Sequence, residues 1–264
     1  MNTVSTINES LPETERPAFS ENEIIPLLKK QYDLCCTVKE LPGERDRNYL
    51  AKDRIGDLYV LKISNASESL DYLKLQNQAL ERTAKLFDDG RIPCVIPDIN
   101  GELLSRTCSL SNSSHWIRLV KFVDGIPMAQ YKPHTKEFLH ELGLMCGTVT
   151  KALQEIPMQP QVRRHLWEMH NAKETLQQYI KWIDDRKMRS LVSHFLDLYN
   201  ELLTPVEQGL RRGWIHNDCN DYNVLVIPNL HGSPSLGLID FGDMTHSYLA
   251  AEPAAACALS LIHI

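Results

Sequence analysis

The chain has 264 residues, 43% of them hydrophobic and 23% charged, with a formal net charge of −6. That is enough for one large domain or two closely packed lobes with a real core. The acidic balance gives no bulk electrostatic reason to bind nucleic acid or an anionic membrane, although it would weakly favour a cationic substrate. The polar N-terminus lacks the basic-then-apolar pattern of a secretory signal, and no stretch is long and apolar enough to span a bilayer. Seven scattered cysteines without a CxxC pair favour reduced thiols in the cytoplasm over disulfides, and no Cys/His cluster has the spacing of a zinc site.

Residues 1–19 read as a loose tail, and a capping box from Ser20 to Glu23 starts a helix running towards Tyr32. Short β-type runs follow at Cys36–Leu41, Asn48–Ala51 and Leu58–Ile63, separated by the turn signals Pro42-Gly43 and Ile55-Gly56-Asp57. Helical periodicity marks Leu70–Phe87, with Leu73, Leu80 and Ala84 on one face. Further β-type runs are expected around Leu103 and over Trp116–Val123. The second half changes character, with helices expected over Thr135–Leu153, Ala172–Ile183 and Arg189–Leu203. Two short strands then come, Val224–Ile227 and Leu236–Ile239, joined by a turn over residues 229–235. A β-rich lobe followed by a helical one is a two-lobe α+β plan, here bounded at 20–123 and 124–264.

The run His216-Asn217-Asp218-Cys219-Asn220-Asp221-Tyr222-Asn223 carries the strongest chemical signal. Phosphoryl transfer needs a carboxylate near the acceptor hydroxyl and an oxygen ligand for a metal ion further along the same loop. Asp218 and Asn223 stand at the H-x-D-x-x-x-x-N spacing that serves this purpose in protein kinases. Taken alone, the run could also be a polar turn before a strand. One hairpin later comes Ile239-Asp240-Phe241-Gly242, where an acidic residue ends a buried strand. In the kinase template that Asp chelates the metal bridging the nucleotide phosphates. Mg²⁺ suits such hard oxygen ligands. Lys62, mid-strand in Val60-Leu61-Lys62-Ile63, matches the lysine that holds nucleotide phosphates, or is a strand lysine with its head in solvent. There is no Walker A motif. The turn holding Arg45 and Arg47 could cover phosphates, or could be a charged surface turn.

These stretches resemble the aminoglycoside-phosphotransferase and choline-kinase-like family. Those that carry the likeness are LPGERDRNY from Leu41, VLKISN from Val60, LQNQAL from Leu75, HNDCNDYNVLV from His216 and IDFGDM from Ile239. Within the family the likeness is greatest to hydroxylysine kinase and to the phosphotransferase domain fused ahead of class III aminotransferases. The resemblance implies a protein-kinase-like two-lobe fold with a nucleotide-binding N-lobe. It implies Asp218 beside the acceptor hydroxyl, Asn223 and Asp240 as Mg²⁺ ligands, and Lys62 on the phosphates of ATP or GTP. It also implies that Lys121, Phe122 and Val123 belong to the interlobe linker that holds the purine. The acceptor would be a small amino-bearing molecule, and the fused branch implies a downstream aminotransferase domain. A nucleotide-binding pseudokinase or scaffold domain is the rival reading.

Two departures from the family pattern stand out. Asn217 occupies the place of the usual Gly between His and Asp, and Lys74 stands where the glutamate partner of Lys62 is expected, with Glu81 two turns on. The chain is also expected to stop short of a complete helical lobe. Glu252-Pro253 looks like a helix start, and the almost wholly apolar Ala254–Ile264 would then leave an exposed apolar patch.

Overall fold

Ser20 ends the polar leader and starts the first helix, and the expected capping box forms. Glu23 reaches back to accept the Ser20 backbone N–H at 2.9 Å and its hydroxyl at 2.8 Å. In the computed structural model, which describes residues 16–87, 89–109, 112–158, 167–228 and 234–261, this helix is α1, Glu21–Tyr32. The chain divides into two units. The first holds the residues up to Lys74 together with Val95–Phe122; the second holds Leu75–Cys94 and the residues from Val123 on.

The first unit is an antiparallel sheet of β1 (Cys36–Leu41), β2 (Arg47–Asp53), β3 (Leu58–Ile63), β4 (Val95–Ile96), β5 (Ser105–Cys108) and β6 (Ser114–Lys121). Its order is β1-β2-β3-β6-β4, with β5 also paired to β6. Period-two alternation puts Tyr49 and Ala51, Leu61 and Ile63, and Ile117 and Leu119 on one face. The register sets Tyr49 opposite Leu61, Leu61 opposite Leu119 and Ile63 opposite Ile117. α1 lays Ile24 and Leu28 on that face, and all of these side chains are buried in one cluster. Burying each large one stabilises the unit by roughly 1.5–3 kcal/mol relative to exposure. Phe19 belongs to the same cluster at 6% exposure and Pro17 is also buried, which corrects the C-terminal end of the loose tail expected over residues 1–19; residues 1–15 of that tail lie outside the described residues. Its carbonyl accepts from the Tyr49 hydroxyl at 2.6 Å and from Arg47 at 2.8 Å. The turn before β2 needs its glycine, because a β-carbon on Gly43 would sit 2.7 Å from the Asp46 carbonyl oxygen.

α2, Leu70–Ala84, begins in the first unit and continues into the second. The second unit then contains a three-stranded sheet of order β10-β9-β7, formed by β7 (Ile126–Pro127), β9 (Val224–Ile227) and β10 (Ser235–Leu238). A two-stranded sheet pairs β8 (Arg212–Ile215) with β11 (Thr245–Tyr248). The unit's helices are α3 (Lys136–Leu153), α4 (Ala172–Tyr179), α5 (Arg186–Leu198) and α6 (Ala251–Leu261). Thr135 caps α3 by accepting the Phe138 N–H at 3.2 Å. Phe138, Leu142, Met145, Cys146, Val149 and Ala152 form its buried stripe at helical spacing.

Several expectations are corrected. The run around Leu103 is not a strand: Asp98 accepts the Asn100 and Glu102 N–H groups, which makes a turn there, and the strand starts at Ser105. β6 ends at Lys121, before Val123. α4 stops at Tyr179 and passes into a 3₁₀ turn, while α5 starts earlier, at Arg186, because Asp185 caps it through the Lys187 and Met188 N–H groups. The turn expected over residues 229–235 lies mostly outside the described residues. The expected exposure of the apolar C-terminal helix, by contrast, is seen over the described residues of α6: Pro253, Ala254, Cys257, Ala258 and Leu259 are exposed, while Ala251, Glu252 and Ala256 are buried.

Candidate active site

The β9–β10 hairpin gathers one group of polar residues. Leu238 pairs with Val224, and one step further the Ile239 N–H donates to the Asn223 carbonyl at 3.0 Å. Asn223, just before β9, and Asp240, just after β10, therefore sit at the same end of the hairpin. The spacing in the sequence and the antiparallel register are together enough to place them there.

His216 ties the two motifs together. Its Nε2 donates to the Ile239 carbonyl at 3.1 Å and its Nδ1 accepts the Asp218 N–H at 3.3 Å, which assigns the neutral tautomer with the proton on Nε2. The ring is fully buried and stands edge-on to Phe241, with centroids 4.7 Å apart. Phe241 thus has a packing role, as the aromatic that fills the space under the imidazole.

Asp218 is held from two sides. Asn223 Nδ2 donates to its Oδ2 at 2.7 Å, and Asn220 Nδ2 donates to its Oδ1 at 2.9 Å. With its amide nitrogen committed to Asp218, Asn223 keeps Oδ1 as the side-chain atom suited to a metal ion. Burial pushes the Asp218 carboxyl above the usual carboxylate range; the Asn220 hydrogen bond pulls it back, and Asp243 and Asp240 push it up further. Asp240 has a backbone in the left-handed region at φ +61°, and its Oδ1 accepts the Gly242 N–H at 3.2 Å. Asn223 Oδ1 and the Asp240 carboxylate are hard oxygen donors, a set that fits Mg²⁺.

The Asn217 departure has a physical explanation. Its φ is +68°, where Gly carries no steric cost and Asn is the best tolerated of the other residues. Its N–H donates to Glu252 Oε2 at 2.9 Å, and the Cys219 thiol donates to Glu252 Oε1 at 2.9 Å. The Cys146 thiol, burial and Glu252 all hold the Cys219 thiol well above its ordinary range, so it remains a protonated donor. Sequence reasoning missed Glu252, Asn220 and Cys146. Glu252 did carry a signal, as the one charged residue in the run Ala250–Leu259.

In the first unit, Lys62 lies opposite Asn48 and Arg118 on the sheet face away from the core. Arg45 is exposed and pairs with the nearly buried Glu68 at 3.6 Å. Arg47 is engaged by the Phe19 carbonyl and, at 3.5 Å, by Glu40. Lys121 pairs with Asp57 at 3.1 Å and lies over the Tyr59 ring. The Phe122 N–H donates to the Leu58 carbonyl, and Val123 is buried. Lys74, which stands where a glutamate was expected, is exposed, and Glu81 pairs with Lys85, just past the end of α2, at 2.8 Å. No helix among the described residues is long and apolar enough to cross a membrane.

A family described as a phosphotransferase enzyme family matches residues 37–262. Hydroxylysine kinase of Mus musculus is 25% identical over 259 residues, covering 90% of this chain and 68% of that protein. A microcompartment-associated aminopropanol kinase shares the fold at a TM-score of 0.68 and 18% identity, over 89% of this chain and 73% of that one. An amicoumacin kinase, solved in complex with AMP-PNP, Ca²⁺ and Ami, shares it at 0.65 and 16% identity, over 91% of this chain and 69% of that one.

Proposed function

The chain belongs to the phosphotransferase enzyme family, and from that premise we propose that it is a Mg²⁺-dependent small-molecule kinase. In this reading it moves the terminal phosphoryl group of ATP or GTP onto a hydroxyl of an amino-bearing metabolite of the hydroxylysine kind. The observation that carries the reading is the Asp218–Asn223 pair, bonded at 2.7 Å at the hairpin end that also presents Asp240. The likeness to hydroxylysine kinase supports the class of acceptor. The acidic cluster of Asp218, Asp240 and Asp243 also suits a substrate that carries an ammonium group.

Asp218 would accept the hydroxyl proton as the substrate oxygen bonds to the terminal phosphorus and the bond to the bridging oxygen of the leaving nucleoside diphosphate breaks. A carboxyl raised above the ordinary range is a stronger base once ionised, and the Asn220 and Asn223 amides fix its direction. Asn223 and Asp240 would hold Mg²⁺, which neutralises phosphate charge when bound. The first unit would serve as the nucleotide lobe, with Lys62 and Arg45 on the phosphates. Arg47 would chiefly brace the turn, given its bonds to Phe19 and Glu40. Backbone groups of Lys121, Phe122 and Val123 would meet the purine. Reduced cysteines fit a cytoplasmic location.

A product scan tests the reading. The chain, ATP or GTP, and Mg²⁺ are incubated with hydroxylysine, choline, ethanolamine or homoserine, and products are read by mass spectrometry. The expected result is Mg²⁺-dependent addition of one phosphoryl group, favouring the hydroxylated amino acid. Nucleotide binding without transfer to any acceptor would instead support the non-catalytic reading.

A further inference from the structure

We propose a second metal centre in this chain, in which Cys146, Cys219 and Glu252 bind one thiophilic divalent ion of the Zn²⁺ or Cd²⁺ class. The three ligand atoms come from α3, the catalytic loop and α6, and all lie within 4.8 Å of one another. Zinc–sulfur bonds near 2.3 Å and zinc–oxygen bonds near 2.1 Å put tetrahedral ligand atoms about 3.5–3.8 Å apart, so a small adjustment brings all three onto one ion. The residues are 5%, 0% and 1% exposed.

A second observation points to a cation. Among the described residues, the bonded partners of the buried Glu252 carboxylate are the Asn217 N–H and the Cys219 thiol, and neither carries positive charge. Buried carboxylates are ordinarily paired with a cation or bound to a metal ion. In the metal-free protein the thiol proton stands where the ion would sit. On binding, each cysteine releases its proton to solvent and both thiolates join the carboxylate around the ion, with Glu252 Oε2 still holding Asn217. Cys146 and Glu252 also line a groove of about 550 Å³ between α3 and α6, which gives the ion access and supplies a solvent molecule as fourth ligand. His216 Nδ1 lies 3.8 Å from the Cys219 sulfur, but its lone pair is taken by the Asp218 N–H.

Sulfur donors set this centre apart from the Asn223–Asp240 pair, whose oxygen donors suit Mg²⁺. The ion would clamp the catalytic loop on both sides of Asp218, through Asn217 by way of Glu252 and through Cys219 directly.

The test titrates the full chain with Cd²⁺ alone and Zn²⁺ alone, without oxygen and with a non-thiol reductant. Wild type is compared with the Cys146→Ser/Cys219→Ser double variant, so that binding at the other five cysteines cancels. The expected result is one extra ion per wild-type chain by native mass spectrometry. It should come with extra thiolate-to-cadmium ultraviolet absorption and a rise in melting temperature that the double variant lacks. Cys257→Ser, on the groove wall, should keep the extra ion, and excess Mg²⁺ should not displace it. If the double variant does not fold, Cys146→Ser alone must lose about half of the extra absorption. Equal ion uptake in folded wild type and variant would overturn the proposal, as would displacement of Cd²⁺ by Mg²⁺ at comparable concentration.

Discussion

Between His216 and Asn223, imidazole, amide and carboxylate groups bond to one another and to the ends of neighbouring strands, whereas α4 and α5 bury no residue. Both segments lie in the second unit. The loop has no regular structure, yet directional bonds hold it in place. The helices are regular, yet they leave Tyr179 at 39% exposure and Phe195 at 58%, with Met188 and Leu191 exposed on the same stripe of α5 as Phe195. Local propensity is enough to draw a helix, but its stability comes from packing of the apolar face. Irregularity is therefore no guide here to which segment tolerates change.

The largest expected effect separates the two segments by activity. Asp218→Asn should lower kcat by at least about 10²-fold, the scale of general-base loss. Nucleotide affinity, read by equilibrium titration, should hardly move. Near-normal turnover would remove Asp218 from the chemistry.

Next in size is Glu252→Ala, which strips the Asn217 N–H of its buried acceptor. It should cost about 1–3 kcal/mol of unfolding free energy, measured in urea. An unchanged midpoint would mean that α6 does not hold the loop.

Asn217 gives a finer test, because two substitutions should differ. Asn217→Ala places a β-carbon at φ +68° and should cost roughly 1 kcal/mol, while Asn217→Gly should stay within a few tenths. Equal losses would show that the side chain, and not the backbone angle, matters there.

The smallest expected effect lies on α5. Leu191→Ser and Phe195→Ser should each change stability by less than about 0.5 kcal/mol and should reduce self-association in sedimentation. A loss above about 2 kcal/mol would show that the stripe is packed against a partner surface.

Much of this fold was legible because its signals are local. The Ser20–Glu23 box, the alternation in β3 and the β9 run each depend on neighbouring residues, and their elements formed as read. Asp218, Asn223 and Asp240 were legible for a related reason: a short loop and one hairpin connect them, so spacing and register fix their order. Short strands were harder. β4, β7 and β11 are two to four residues long, too short for a periodic signal, and exist because distant strands offer them partners.

The sequence by itself determined which helices and long strands form, and that an acid, an amide and a second acid follow one another around a hairpin. Only the tertiary structure decided that Cys146, Cys219 and Glu252 meet. They come from elements separated by tens of residues, and no sequence spacing encodes that meeting. It also decided why Asn217 can replace glycine and what becomes of Glu252. The physical reason is the same for each. A buried polar atom has to find its partner wherever the fold supplies one, and the partner's position depends on how α3, the loop and α6 pack, which no local pattern records.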